Sequence, residues 1–299
     1  MKYNYCTKVR DNDTLRDSFN ELTRQTFGFD FVGWYEAGQW GDFYIPHVLL
    51  DGEKVVSNVS VNIMQFDAQG EKKNYIQLGT VMTDNDYRGQ GLNREIMERI
   101  MEEYKDKVDG IYLFGNDDVV NYYPKFGFKP AKEYEYYLQC ENADKVEEYA
   151  LEKVDMQDKE QAEKFYDFMR AYEVAPNQPN QNDAMYMSEN VNLFQFWLGA
   201  GYGDSVYYLP EVNAYVILEV DGERVVICQI FGKEEVDTLR LAKTVNKDVT
   251  EVMLGYTPVH KEKYLVREHK EEDCTMFIMG EDLKRIEQDK MMFPLLSHA

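Results

Sequence analysis

The stretch Gly79-Thr-Val-Met-Thr-Asp-Asn-Asp-Tyr-Arg-Gly-Gln-Gly-Leu-Asn93 carries the densest chemistry in the chain. A strand-like run enters it and a strong amphipathic helix leaves it. Gly89 and Gly91 permit a tight turn with no Cβ to block a ligand. The free N–H groups of the helix's first turn then face whatever anion sits there, and the helix dipole adds to the attraction. Arg88 contributes a fixed positive charge whose forked donors suit phosphate oxygens. The same residues also suit a plain tight turn whose arginine pairs with a surface carboxylate. Spacing excludes two nucleotide loops. There is no G-x-x-x-x-G-K-S/T, and Gly89-Gln90-Gly91 runs into Leu92, Asn93 and Arg94, which breaks G-x-G-x-x-G.

The stretch resembles the acyl-CoA loop of the GCN5-related N-acetyltransferases (GNAT superfamily), Gln/Arg-x-x-Gly-x-Gly/Ala, with Arg88, Gly91 and Asn93 at those positions. The resemblance continues at Asn116-Asp-Asp-Val-Val-Asn-Tyr-Tyr123-Pro-Lys-Phe-Gly127-Phe128, which is similar to the family's N-x(6)-F/Y-x(3)-G-F segment. It implies acetyl-CoA as co-substrate and an N-acetyltransferase that delivers acetyl to a primary amine by direct attack. A non-catalytic acyl-CoA-binding or interaction protein is the alternative. By the same resemblance, backbone groups around Val81, Met82 and Thr83 pair with pantetheine. Arg88, Gly89, Gln90, Gly91, Leu92 and Asn93 hold the pyrophosphate, Asn116 bonds the pantetheine arm, and Tyr123 is the general acid for the leaving thiolate. A phenol with an ordinary pKa near 10 stays protonated at neutral pH and can donate.

The residues allow blander readings too. Tyr123 is flanked by Tyr122 and Phe126 and suits ordinary packing, and Asn116 suits a helix cap. Two positions depart from the family pattern: Asn93 replaces a small residue, and Asn85 stands where proline is common. No general base is identifiable among Asp84, Asp86, His47, Glu36 and Asp42. Relatives named for enhanced intracellular survival use a C-terminal carboxylate in the active site, which makes Ala299 a candidate, with tail docking for stability as the other reading.

The elements that must position these residues follow from periodicity. An alternating run at residues 4–10 predicts a strand. Asp13-Thr14 caps a helix with Leu15, Phe19, Leu22 and Phe27 on one face. Phe31, Trp34, Tyr35 and Trp40 belong to a short second helix and loop, where they either touch the acceptor or pack on the core. Strands are expected at 45–50, 54–66 and 75–83, with an Asp51-Gly52 hairpin turn. A helix from Gly91 carries Leu92, Ile96, Ile100 and Tyr104 inward. A strand at 111–114, a helix at 119–126 and a last strand at 134–138 complete βααβββαβαβ. The expected fold class is α/β (α+β): a GNAT fold with a mixed central sheet flanked by helices.

Residues 142–299 repeat part of this order as a second, degenerate GNAT-like domain, after a first domain at 1–141. Asp221-Gly-Glu-Arg-Val-Val echoes Asp51-Gly-Glu-Lys-Val-Val, but Gly232-Lys-Glu-Glu stands where the first half has Arg88-Gly-Gln-Gly. Two acids at that helix start repel pyrophosphate, so this half is expected not to bind CoA. Pro176 to Asp183 forms a polar loop within it.

Composition bounds the remaining possibilities. The formal net charge is −22, and residues 1–140 carry 16 Lys+Arg against 23 Asp+Glu. Such a surface argues against nucleic-acid binding and is compatible with a cationic acceptor or with solubility alone. Cys6, Cys140, Cys228 and Cys274 form no metal or disulfide pattern. No apolar run reaches membrane-spanning length and the N-terminus lacks a secretory h-region, so a cytoplasmic location is expected. Oligomeric state is left open.

Overall fold

Alternating apolar residues build the strands and set their faces. The computed structural model describes residues 2–68, 70–141, 146–173 and 181–298. In chain order the first half holds β1 (Asn4–Cys6), α1 (Asp13–Phe27), α2 (Val32–Glu36), β2 (Tyr44–Asp51), β3 (Lys54–Ala68), β4 (Glu71–Thr83), α3 (Leu92–Tyr104), β5 (Gly110–Gly115), β6 (Lys129–Ala131) and β7 (Glu133–Gln139). The second half holds β8 (Glu152–Lys153), α4 (Lys159–Glu173), β9 (Met185–Ser188), α5 (Val191–Ala200), β10 (Val206–Leu209), β11 (Ala214–Asp221), β12 (Arg224–Phe231), α6 (Thr238–Val245), β13 (Glu251–Leu254), β14 (Leu265–His269), β15 (Thr275–Met279) and α7 (Arg285–Gln288). The architecture is mixed α/β, with two mixed sheets flanked by helices.

The first sheet runs β1-β2-β3-β4-β5-β15-β6, with β9 added on β3; the second runs β14-β7-β13-β12-β11-β10-β8. Each half therefore lends a strand to the other. The last strand expected for the first half, 134–138, falls within β7, which lies between β14 and β13. In its place β15 inserts antiparallel between β5 and β6. The two sheets are thus not separated by a boundary at 141/142, and residues 142–145 themselves lie outside the described residues. Period-two patterning marks a strand and its buried face but says nothing of which neighbour it will pair with.

Two faces of the first sheet are covered by different helices. Leu49, Val59, Ile76 and Leu78 pack with Ile96, Met97 and Ile100 of α3. Val48, Leu50, Val55 and Met82 face Phe19 and Leu22 of α1. The cap of α1 is Asn12, whose Oδ1 accepts from Leu15 N–H at 3.1 Å, not Asp13-Thr14. The helix expected over 119–126 is instead two 3-10 turns, Asp117–Val119 and Tyr123–Phe126. Pro124 has no N–H to give and its ring would clash with the carbonyl four residues back, so no α-helix runs through it. No helix among the described residues is long and apolar enough to cross a membrane.

The halves meet over a shared core through which the C-terminal segment passes. Phe293 is fully buried and stacks on Tyr112 of β5 at 3.9 Å, and His298 stacks on Phe114 at 4.0 Å. Ala299 lies outside the described residues. Polar groups sit at the same junction. His269 Nδ1 is 2.6 Å from Glu135 and Nε2 is 3.3 Å from Glu271. Glu133 accepts from Phe293 N–H at 2.7 Å.

Burial pushes His269 down, but its bonds to Glu135 and Glu271 outweigh this and hold it up at about 9. Burial pushes the Glu133 carboxyl up to about 7. Both values stand above those of the unfolded chain, about 6.5 for His and about 4.3 for Glu. The stability contributed by His269 is therefore complete below about pH 6.5 and lost as pH rises through 9. That of protonated Glu133 is complete below about pH 4.3 and lost as pH rises through 7. Urea unfolding should show stability falling, by on the order of 2 kcal/mol, as pH rises from about 6.5 to beyond 9. His269→Gln should flatten that slope, and an unchanged slope would remove His269 from this linkage.

Candidate active site

The site begins where two parallel strands part. β4 and β5 pair from Tyr75–Leu78 to Gly110–Leu113, and no ladder joins them beyond that point. On its other edge β4 stays paired with β3, through a bulge in which Thr80 and Val81 together oppose Val59. Thr80 sits at φ 49, an unfavourable region for a β-branched residue. Neighbours hold it there. Its Oγ1 is 2.8 Å from the Tyr44 hydroxyl, Asn58 Nδ2 donates to its carbonyl at 2.8 Å, and Ser60 Oγ donates to Tyr44 at 2.9 Å. The opening is a cavity of about 680 Å³ whose walls include Gly79, Val81, Met82 and Thr83.

The glycine loop closes one end. Asp84 anchors its start, accepting from Asp86 N–H at 2.9 Å and from Lys54 at 2.8 Å. Those bonds to Lys54 and Asp86 keep its carboxyl below the usual range, so Asp84 is tied into the turn. Gly89 and Gly91 have φ of 76° and 78°, and a Cβ at either would meet nothing within 4 Å. Backbone angle, not crowding, requires glycine here. Gly91 caps α3 with no side chain, so no cap bond covers the first-turn N–H donors among the described residues. Arg88, Leu92, Asn93 and Arg94 line the cavity beside them. Gln90 does not; its Oε1 accepts from Tyr3 at 2.9 Å. Asn93 Oδ1 takes a close hydrogen bond from Ser57, which draws that side chain toward the sheet.

Phe114, Gly115, Asn116, Tyr122 and Tyr123 form the other end. A Cβ on Gly115 would lie 2.8 Å from the Tyr123 ring, so glycine lets that ring lie against the strand. Tyr123 is buried and packs on Phe277 of β15 at 5.3 Å, and its hydroxyl bonds to no described residue. Burial pushes its pKa up to about 12. Asn116 makes no cap bond; its Nδ2 donates to Asp273 at 2.9 Å.

Residues 8–131 match the family model described as an acetyltransferase (GNAT) domain. That stretch is a GNAT acetyltransferase domain. Its family uses acetyl-CoA, and its general activity is acyl-CoA-dependent N-acetyl transfer. The residues present fit that substrate, with uncovered helix N–H groups and two arginines at one end of an open strand edge. No curated protein sequence matches the chain. Among solved structures, a conserved Enterococcus faecalis protein described as a probable N-acyltransferase shares the fold at TM-score 0.58 and 15% identity, over 93% of this chain and 72% of that one. Eis1 from Mycobacterium abscessus does so at 0.59 and 10%, over 92% and 73%. A GCN5-related N-acetyltransferase from Kribbella flavida does so at 0.56 and 16%, over 93% and 71%. At such identities the likeness is one of fold.

The acetyltransferase domain's other candidates fall elsewhere. His47 sits among Tyr5 and Tyr104, away from the cavity, and burial pushes it down to about 4. Asp42 pairs with Arg10 at 2.7 Å, and Glu36 is exposed. No Asp or Glu lines the cavity among the described residues. Phe31, Trp34 and Trp40 are buried against Phe196 of α5, with Trp34 Nε1 donating to Asn192 O at 3.0 Å. Thr26 and Phe27, at the end of α1, reach the cavity instead. The pattern did not single out these two, nor Arg94, Phe114 and Tyr122. Arg94, three residues past Gly91 on the first helical turn, was the one with a usable signal.

The second half carries the matching parallel pair, β12 with β13, and α6 between them. There the chain fills its own opening. Ala184 N–H donates to Thr257 O at 2.7 Å, Gln229 Nε2 to Asp183 at 3.2 Å and Leu295 N–H to Gly255 O at 2.8 Å. The start of α6 is capped by Asp237, whose Oδ1 accepts from Arg240 N–H at 3.0 Å. A carboxylate of the chain thus occupies the position that Gly91 leaves open on α3. Residues 176–180 of the polar loop lie outside the described residues.

Gly91→Ala puts its methyl into open space, so its cost is that of φ 78 alone, about 1–2 kcal/mol. Gly91→Asn should cost less, because asparagine tolerates this region. Thermal unfolding of both variants checks this. A Gly91→Ala protein as stable as the parent would remove backbone strain as the reason for glycine.

Proposed function

We propose that the acetyltransferase domain transfers an acetyl group from acetyl-CoA to a primary amine by direct attack. The observation that carries this is the shape of the opening itself. Among the described residues, an unpaired strand edge runs from uncovered N–H groups at α3 to a tyrosine hydroxyl with no partner. In this reading Arg88, Gly89, Gly91, Leu92 and Asn93 hold the pyrophosphate, mostly by main-chain donors, with Gln90 serving as a loop residue braced by Tyr3. Backbone groups of Val81, Met82 and Thr83 pair with the pantetheine arm, and Asn116 bonds it. Tyr123 gives its proton to the departing thiolate, a role consistent with a hydroxyl held protonated up to about pH 12. No Asp or Glu among the described residues lines the cavity, and in this reading the amine arrives neutral from solution or loses its proton to water. The second half binds no CoA and acts as scaffold.

The alternative reading is a non-catalytic acyl-CoA-binding protein, since a fold that holds a ligand need not turn it over. Titration with acetyl-CoA and thiol release across a panel of amines separate the two. Binding in the micromolar range with amine-dependent release supports transfer; binding without release under any amine supports the second reading; no binding by folded protein removes both.

Tyr123→Phe should lower the turnover rate by about 10²-fold or more, with acetyl-CoA affinity nearly intact. The ring still fills its space against Gly115 and Phe277, so the melting temperature should hardly move. A rate within a few-fold of the parent across the accessible pH range would take Tyr123 out of the mechanism.

A further inference from the structure

The turn between β14 and β15 crosses from the second half to the cavity's inner end. Asp273 holds it at φ 53, a region aspartate tolerates. Both of its carboxylate oxygens are used by the other half. Asn116 Nδ2 donates to Oδ2 at 2.9 Å and Asp117 N–H donates to Oδ1 at 2.9 Å. Thr275 Oγ1 donates to Asp117 Oδ1 at 3.0 Å and closes the link from the β15 side. A side-chain amide has one donating end and one accepting end. A carboxylate can only accept, so Asp273 commits the Nδ2 end and leaves Oδ1 of Asn116 for a ligand. Asn116 lines the cavity between Gly115 and Tyr123.

We propose that Asp273 is a positioning residue for CoA binding. It fixes the Asn116 amide with its oxygen free to accept from an amide N–H of the pantetheine arm. The second half thereby sets the hydrogen-bonding sense of a residue in the first. This rests on the acetyltransferase reading above, and the test separates the two.

Asp273→Asn keeps an oxygen for Asp117 N–H but turns an NH₂ group toward Asn116 Nδ2. Calorimetry on the full chain should show CoA affinity falling about tenfold. Affinity for adenosine 3′,5′-bisphosphate, which has no arm, should stay within about twofold of the parent. Asn116→Asp alone sets two carboxylates face to face and should weaken CoA similarly. Combining Asn116→Asp with Asp273→Asn reverses donor and acceptor, keeps an oxygen for the arm, and should restore CoA affinity to within about threefold. Unchanged CoA affinity in Asp273→Asn would overturn the proposal. So would equal loss for both ligands, or a double variant without recovery, either of which marks Asp273 as a fold-stabilising residue only. If the parent protein binds adenosine 3′,5′-bisphosphate but not CoA, the inference about the arm fails while an anion site at α3 stands. If it binds neither, the acetyltransferase reading fails and this inference with it.

Discussion

Everything at the cavity depends on the loss of pairing between β4 and β5 after Leu78 and Leu113. A buried strand edge with unmet N–H and C=O groups costs free energy, so a fold keeps one only where something else satisfies it. Here the bulge at Thr80 and Val81 fixes how the edge is presented, and the Tyr44, Ser60 and Asn58 side chains hold the bulge in an otherwise unfavourable backbone region. The glycine loop and α3 finish one end of that edge, Gly115 and Tyr123 the other. A strand-like arm carrying its own amides is the natural complement. The second sheet supplies the control: its parallel pair opens in the same way, and residues 183–184 and 295 satisfy the opening from within.

The second half also supports the candidate site, although it lends no residue to the cavity lining among the described residues. Phe277 on β15 is the floor under Tyr123, Asp273 anchors the turn that carries Asn116, and His298 stacks on Phe114. Phe196 and Asn192 of α5 brace the aromatic cluster beneath α2. These contacts hold first-half side chains from the second half.

Local requirements were legible in the sequence, and long-range ones were not. Gly89 and Gly91 are readable because a positive φ followed by an uncapped helix start is written within a few residues. The strands of the first half are readable from alternation, since Leu49 and Val48 must face opposite sides of one sheet. The helix expected at 119–126 does not form because Pro124 lacks an N–H, and two 3-10 turns take its place. Asp273 was invisible in Lys270-Glu-Glu-Asp, which has the look of a solvated turn, because its partners lie over 150 residues away. Phe27 and Phe114 sit in runs that read as ordinary core. The partner of β7 could not be read at all, since its own pattern suits either sheet.

The crossed strands also set an order in time. A ribosome that has delivered β1 through β6 has delivered neither β15, which joins β5 to β6, nor the sheet that receives β7. The first sheet lacks the strand between β5 and its edge strand β6 until residue 279 emerges, and Tyr123 has no Phe277 to rest on until then. Contacts this distant in sequence are slow to form, because the intervening chain must close as a loop before they repay the cost. The acetyltransferase domain is therefore continuous as a sequence but not autonomous as a folding unit: its completion waits on a strand made about 150 residues after its own last one.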